Sequence, residues 1–334
     1  MQRKLSYFLT LASIPIVWTG ITSTRVLFEF SAVATTAPTA NGQILQVNGN
    51  ARLERQEQRI QPLPGTPIYP GDRLLAARGS ELVVQCSDLT IKSISTEQFN
   101  GCAAPPSLSC NPDLYECPPR GELASNDELP YPISPRRTHL LNDRPQLRWN
   151  PVAGATEYTV SLFEDGTPLW QVTTADSQMN YPNERRLRSG VEYMLVIETD
   201  TGISSLDAEP IPGGFGFRLL SEDRREEVTE EIDRIETQAL DKSAQNLAIA
   251  FLYVERGLIA EAIDILENPI ESGMQNAALY NRLGQLYWDY LALPENALES
   301  YCQTVELASS DFLELREQAQ ERLDRFTHSC QTSP

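Results

Sequence analysis

A chain of 334 residues is too long for one ordinary hydrophobic core and implies two or three domains. Its apolar content of 41% is ample for folding, so disorder is not the default reading. The formal net charge of −19 leaves no basic face for phosphate, which excludes nucleic acid as a partner and disfavours an anionic lipid surface for the folded part.

The first residues carry Arg3 and Lys4 before an apolar run from Leu5 to Ile21, broken once by Pro15. That is the charged and apolar layout of an export signal, and Ala32-Val33-Ala34 offers a small-x-small cleavage site before Thr35. The apolar run also reaches the lower edge of a spanning helix, so residues 1–34 read either as a cleaved signal or as a retained inner-membrane anchor. Both readings place the rest of the chain in the periplasm or another extracytoplasmic space, with membrane contact only through residues 5–21. Oxidising conditions follow. The six cysteines then read as disulfides, and sequence proximity suggests Cys86 with Cys102, Cys110 with Cys117, and Cys302 with Cys330.

From Gly42 to Cys102 the texture is short alternating runs (QILQVNG, ARLERQ, DRLLAA, SELVVQC, LTIKSIS) spaced by Asn-Gly, Pro-Gly and Arg-Gly-Ser turns, which read as a small all-β domain. The order of Gly71-Asp72, an apolar strand, a small-residue turn, and a strand ending at Cys86-Ser87-Asp88 resembles the FecR-type domain. The usual hairpin glycine is missing. In signalling relatives that domain follows a cytoplasmic module; only four residues precede the apolar run here, so the resemblance implies an exported β scaffold and not a transducer.

Residues 103–130 are rich in Pro, Ser and Cys without helical or strand period, and read as a linker in which Cys110 and Cys117 close a small loop. A second β region occupies 131–220. Leu147-Arg148-Trp149 is a strand; Tyr158, Val160 and Leu162 alternate on one face; Asp165-Gly166 is a hairpin turn; Val191, Tyr193, Leu195 and Ile197 alternate again; and Gly214 to Leu220 closes the series. About seven short strands of this kind make a β-sandwich of Ig/fibronectin type. LRWNPVAGATEYTV followed by LRSGVEYMLVIETDTG resembles a fibronectin type III module with Trp149 and Tyr193 in its core. Trp149 and Trp170 could stack a sugar ring, but Trp149 falls in phase with its apolar neighbours, as a core residue does.

Residues 221–243 form a polar lead helix with Val228, Ile232 and Ile235 at helical spacing and Ser221 as its cap. Residues 244–308 repeat themselves: Ala250 and Gly284 stand 34 positions apart, Tyr253 and Tyr287 likewise, and Ala262 and Ala297 stand 35 apart, which places one inserted residue near Leu291 to Leu293. Four helices follow, over 244–256, 259–270, 276–291 and 295–308, with Gly257 and Pro294 at turns and Pro269 expected to shorten the second. Period and small residues resemble two tetratricopeptide repeats. Residues 309–330 supply a capping helix with Leu313, Ala319, Leu323 and Phe326, pinned by Cys302–Cys330.

No catalytic, cofactor or metal pattern emerges. There is no phosphate loop, no nucleophile elbow and no metal-ligand cluster, and the only imidazoles are His139 and His328. The whole order of segments resembles exported proteins seen in cyanobacteria. The expectation is a non-catalytic exported scaffold or adaptor in the cell envelope, binding a protein or peptide through the helical repeats; the alternative is a cell-wall or glycan-binding module acting through the FecR-like domain. No cofactor is expected. The resemblance implies a groove lined by the first helix of each repeat, with Asn246, Ala250 and Tyr253 beside Asn281, Gln285 and Trp288. Asn246 and Asn281 would hold an extended backbone, while Ala250 and Tyr253 read equally well as packing residues.

Overall fold

The computed structural model describes residues 40–95, 98–103, 128–182, 185–208, 215–308, 313–326 and 330. The N-terminal segment, Cys110, Cys117 and His328 lie outside these residues. The alternating runs after Asn41 fold into eight strands: β1 (Gly42–Asn48), β2 (Ala51–Arg55), β3 (Gln58–Ile60), β4 (Pro67–Ile68), β5 (Arg73–Ala76), β6 (Glu81–Cys86), β7 (Ile91–Ile94) and β8 (Gln98–Phe99). They make two antiparallel four-stranded sheets, ordered β4-β1-β6-β7 and β3-β2-β5-β8. Ile44, Leu53, Ile68, Leu74, Leu82 and Val84 fill the space between them. The Gly71-Asp72 turn has a physical reason: buried Asp72 accepts Arg55 Nε and Nη2 at 3.0 and 2.8 Å and the Tyr69 amide at 2.9 Å. Cys86 and Cys102 are bonded, with Cα atoms 5.4 Å apart. Residue 42 has to be glycine, because a Cβ there would sit 2.7 Å from Cys102 Sγ.

The second β region has eight strands among the described residues, one more than the alternation suggests: β9 (Pro132–Ser134), β10 (Thr138–Leu140), β11 (Gln146–Trp149), β12 (Tyr158–Glu164), β13 (Thr167–Thr174), β14 (Gln178–Asn180), β15 (Glu192–Thr199) and β16 (Phe217–Leu219). They form a five-stranded sheet β10-β16-β15-β12-β13 and a three-stranded sheet β14-β11-β9. The extra strand arises because residues 132–140 change sheets. β9 pairs with β11, the chain passes a cis Ser134–Pro135 bond, and β10 then runs parallel to β16. Trp149 is buried in the core, edge-on to Tyr158 at 5.8 Å, and Tyr193 stacks on Phe217 at 5.7 Å.

Six helices follow among the described residues: α1 (Glu222–Glu236), α2 (Lys242–Glu255), α3 (Ile259–Glu271), α4 (Ala277–Gln285), α5 (Pro294–Leu307) and α6 (Leu313–Leu323). Ser221 stands at the N-cap of α1 but makes no side-chain capping bond, whereas Asp241 caps α2 through Ala244 N and Asn276 caps α4. Pro269 does not shorten α3, which runs on to Glu271. So near a C-terminus the missing N–H removes one bond and the helix tolerates it. The extra residue of the second repeat is absorbed earlier than its spacing suggests. α4 passes into a π turn over Leu286–Leu291, whose wider winding takes up one residue, and Ala292 then ends it in the left-handed region at φ 57°. Gly284 lies where α4 crosses α5, and a Cβ there would meet the Tyr301 ring at 2.7 Å. Cys302 and Cys330 are bonded, and Phe326 packs on Trp288 at 4.7 Å. The described residues belong to one compact unit.

Candidate functional site

The helices are the centre on which both β parts are fixed. β1 and β6 show Ile44, Leu82 and Val84 to the partner sheet and turn Leu45 and Val83 into the helical core. Between those aliphatic groups lie two buried glutamines, Gln43 and Gln85. Gln43 Nε2 donates to Gln85 Oε1 at 2.9 Å and to the Leu247 carbonyl at 3.2 Å, and Gln85 Nε2 donates to the Ala248 carbonyl at 3.2 Å. Gln46 Oε1 accepts the Asp241 amide at the start of α2, at 2.9 Å. Gly65 brings this part against α4: a Cβ there would meet Ala278 Cβ at 3.0 Å.

The sandwich grips helix ends instead. Arg136 Nε donates to the Leu291 carbonyl at 2.9 Å, and Arg137 Nε to the Tyr290 carbonyl at 3.2 Å. These are the terminal carbonyls of the π turn, the negative end of the helix dipole and short of intrahelical donors. Burial pulls Arg136 down to about 9, which leaves it charged at neutral pH, and its guanidinium lies 4.2 Å from the Phe215 ring centre. Further along, the His139 amide donates to Gly257 O at 2.8 Å, and Thr138 Oγ1 accepts the Ala260 amide at 3.1 Å, at the first turn of α3. The Leu141 amide donates to Glu261 Oε1 at 2.6 Å; Glu261 Oε2 is buried without a hydrogen-bond partner. Burial raises the Glu261 carboxyl to about 8. Arg148 Nη1 pairs with Glu267 at 2.7 Å, and Tyr287 donates its hydroxyl to the same carboxylate. Burial lowers Arg148, but Glu267, Tyr287 and Asp264 outweigh it and its pKa is raised.

The six groove candidates do not form one open surface. Asn246, Ala250 and Asn281 are buried within the chain, and Asn246 Oδ1 has no hydrogen-bond partner. Tyr253 is half-buried against the cluster of Leu220, Val228 and Leu258, and burial lifts its hydroxyl to about 12. Gln285 accepts from Arg282 at 3.0 Å, and Trp288 is occupied by Phe326. The faces of α2 and α4 expected to receive a partner are covered in part by the first β part, through Gln43, Gln85 and Gly65. Trp170 is half-buried and edge-on to Tyr181 at 5.7 Å. His139 is buried beside the helices, and burial lowers its pKa. Among the described residues no group of His, Cys, Asp and Glu could hold a metal ion, and no helix is long and apolar enough to cross a membrane.

The chain matches no protein-family model and no curated protein. Among solved structures, fibronectin(III)-like modules of CbhA from Clostridium thermocellum align over 56% of this chain and 81% of theirs, at 8% identity and a TM-score of 0.20. A beta-1,2-glucanase from Parabacteroides distasonis aligns over 86% of this chain and 59% of its own, at 8% identity and a TM-score of 0.22. At such scores neither carries its chemistry over to this chain.

Sequence reasoning missed Gln43, Gln85, Arg136, Arg137 and Glu261 as the residues that join the parts. One signal was present: Gln85 follows the aliphatic run Leu82-Val83-Val84 in β6, where a polar group has to find a partner, whereas Gln43 shares β1 with Gln46 and Asn48 and does not stand out. Arg136-Arg137 had no such mark, because their acceptors lie more than 150 positions away.

Proposed function

We propose that the chain is an exported, non-catalytic scaffold of the cell envelope that holds two β parts at fixed positions on a helical hub. The observation that carries this reading is the pair of joints just described, each built from buried side chains bonded to helix backbone. Such joints fix position and orientation, which a loose string of binding modules does not need. Two disulfides, Cys86–Cys102 and Cys302–Cys330, support an oxidising compartment. In this reading the first part is FecR-like, supported by the Gly71-Asp72 turn held by Arg55. The sandwich is fibronectin type III-like, supported by its five-plus-three strand order around Trp149 and Tyr193. The helical hairpins are tetratricopeptide-like, supported by Gly284 under Tyr301. Because the inner helical face is partly filled from within, partners meet the outer faces of α1 and α6.

Photo-crosslinking groups placed in the native host at exposed Glu227 and Glu321 test this. Defined extracytoplasmic proteins captured in fixed ratio at either position are the expected result. Capture of none at both, together with retention of the intact chain on purified cell wall, overturns the adaptor in favour of glycan binding. Residues 42–102 alone are no substitute for the intact chain, since Leu45 and Val83 would be stripped of their helical cover.

A further inference from the structure

A cleft of about 290 Å³ opens between the β6–β7 turn and α1, with α2 beneath it. Its volume sits at the lower end of ligand pockets. Leu89 and Ile91 line one wall, Ile235 the other, and Leu252 the floor. Glu231 lies in this cleft but is already neutralised, since Arg256 grips it through Nε at 3.1 Å and Nη2 at 2.5 Å. Asp88 is turned to Thr90, taking its amide at 3.0 Å and its hydroxyl at 2.6 Å. Arg234 is different. Its side chain is 73% exposed, its Nε reaches only the Glu230 carbonyl at 3.3 Å, and Nη2 stands 3.9 Å from Glu231. Among the described residues its two terminal nitrogens form no hydrogen bond, so the mouth of an aliphatic cleft carries a cation with donors to spare.

From this we infer that the cleft binds an aliphatic carboxylate, with the head group on the Arg234 guanidinium and the tail over Leu89, Ile91 and the edge of Ile235. A planar guanidinium offers a carboxylate two parallel donors, and the accessible parts of Leu89, Ile91 and Ile235 reward a tail of a few carbons. Within the cleft Arg234 and Arg256 balance Asp88 and Glu231, and both carboxylates are already engaged, so the attraction for an anion is local to the Arg234 guanidinium. The same chemistry has two sources: a free short-chain carboxylate, or the C-terminal carboxylate of a peptide ending in an aliphatic residue. The inference does not rest on the scaffold reading.

The test is calorimetric titration of the full chain with sodium hexanoate, and with the peptide acetyl-Ser-Thr-Leu as the free acid and as the C-terminal amide. Saturable binding of an acid is expected, weakened about tenfold by Arg234→Gln, which removes a charge-assisted pair from an exposed position. Leu89→Asn should weaken it as well by removing part of the aliphatic wall, and asparagine suits the left-handed backbone there, φ 64°. Binding of hexanoate assigns the free carboxylate; binding of the peptide acid alone assigns the chain terminus. No saturation by any probe up to about 10 mM overturns the inference. So does equal affinity for peptide acid and amide, or affinity unchanged by both variants.

Discussion

The first β part meets α2 through neutral amides and aliphatic side chains, whereas the sandwich meets α3 and the end of α4 through guanidinium groups and carboxylates. The difference follows from which part of a helix each one touches. Along the middle of α2 the carbonyls are already engaged within the helix, so a side-chain amide adds a weak second bond and aliphatic packing supplies most of the stabilisation. At the ends of α3 and α4 the backbone groups lack helical partners and carry the dipole's partial charge, so charged groups gain most there. One joint should therefore ignore pH and salt, and the other should respond to pH.

The largest effect is expected where a buried charge holds free carbonyls. Arg136→Ala removes the donor from the carbonyls of Leu291 and Pro132 and should cost about 3 kcal/mol, measured by chemical denaturation. A loss below about 0.5 kcal/mol would mean that the π-turn end is satisfied by water. Removing Cys302–Cys330 by a double Ser substitution should cost about 3 kcal/mol on chain-entropy grounds and free α6 with Phe326 from Trp288, visible in tryptophan fluorescence. Gln43→Ala and Gln85→Ala should each cost about 1–2 kcal/mol, equally at pH 6 and pH 9, because the amides do not titrate.

Glu261→Gln sharpens the contrast from the other side. The folded-state pKa of Glu261 is raised from 4.5 to about 8, so the stability it contributes is complete below the unfolded value and is lost as pH rises through about 8. The groups around it are the Leu141 amide from the sandwich, Tyr253 on α2 and Asp264 on α3. The parent chain should lose about 2–3 kcal/mol between pH 6 and pH 9, and the glutamine variant, unable to ionise, should show a flatter profile. A remaining slope near pH 6 would come from Asp264, which burial pushes up to about 6. Identical profiles for parent and variant would remove Glu261 from the joint.

Strand runs and the 34-residue spacing were legible because they are local. Period-2 alternation around Tyr158 and Tyr193 places those residues in a core whatever lies beyond it. The pairing of Cys86 with Cys102 and of Cys302 with Cys330 was also within reach of sequence proximity. Helix starts were less legible: Ser221 looked like a cap for α1 and makes no side-chain capping bond, and α2 is capped by Asp241, three residues ahead of its expected start. Of the groove candidates, Asn246, Ala250 and Asn281 lie buried, which was hidden for a different reason. Small and polar residues on the first helix of a repeat look the same whether they wait for a partner or already face another part of the chain.

The repeating order of apolar, small and turn residues settled the β and helical elements, since those depend on neighbours within a few positions. What covers the helices could not be read that way. Gln43 reaches Leu247 across 204 positions, and Arg136 reaches Leu291 across 155. Contacts so distant leave no periodic trace in composition. Only the folded chain brought helix carbonyls and ends against the two β parts and buried Asn246, Ala250 and Asn281 inside the molecule.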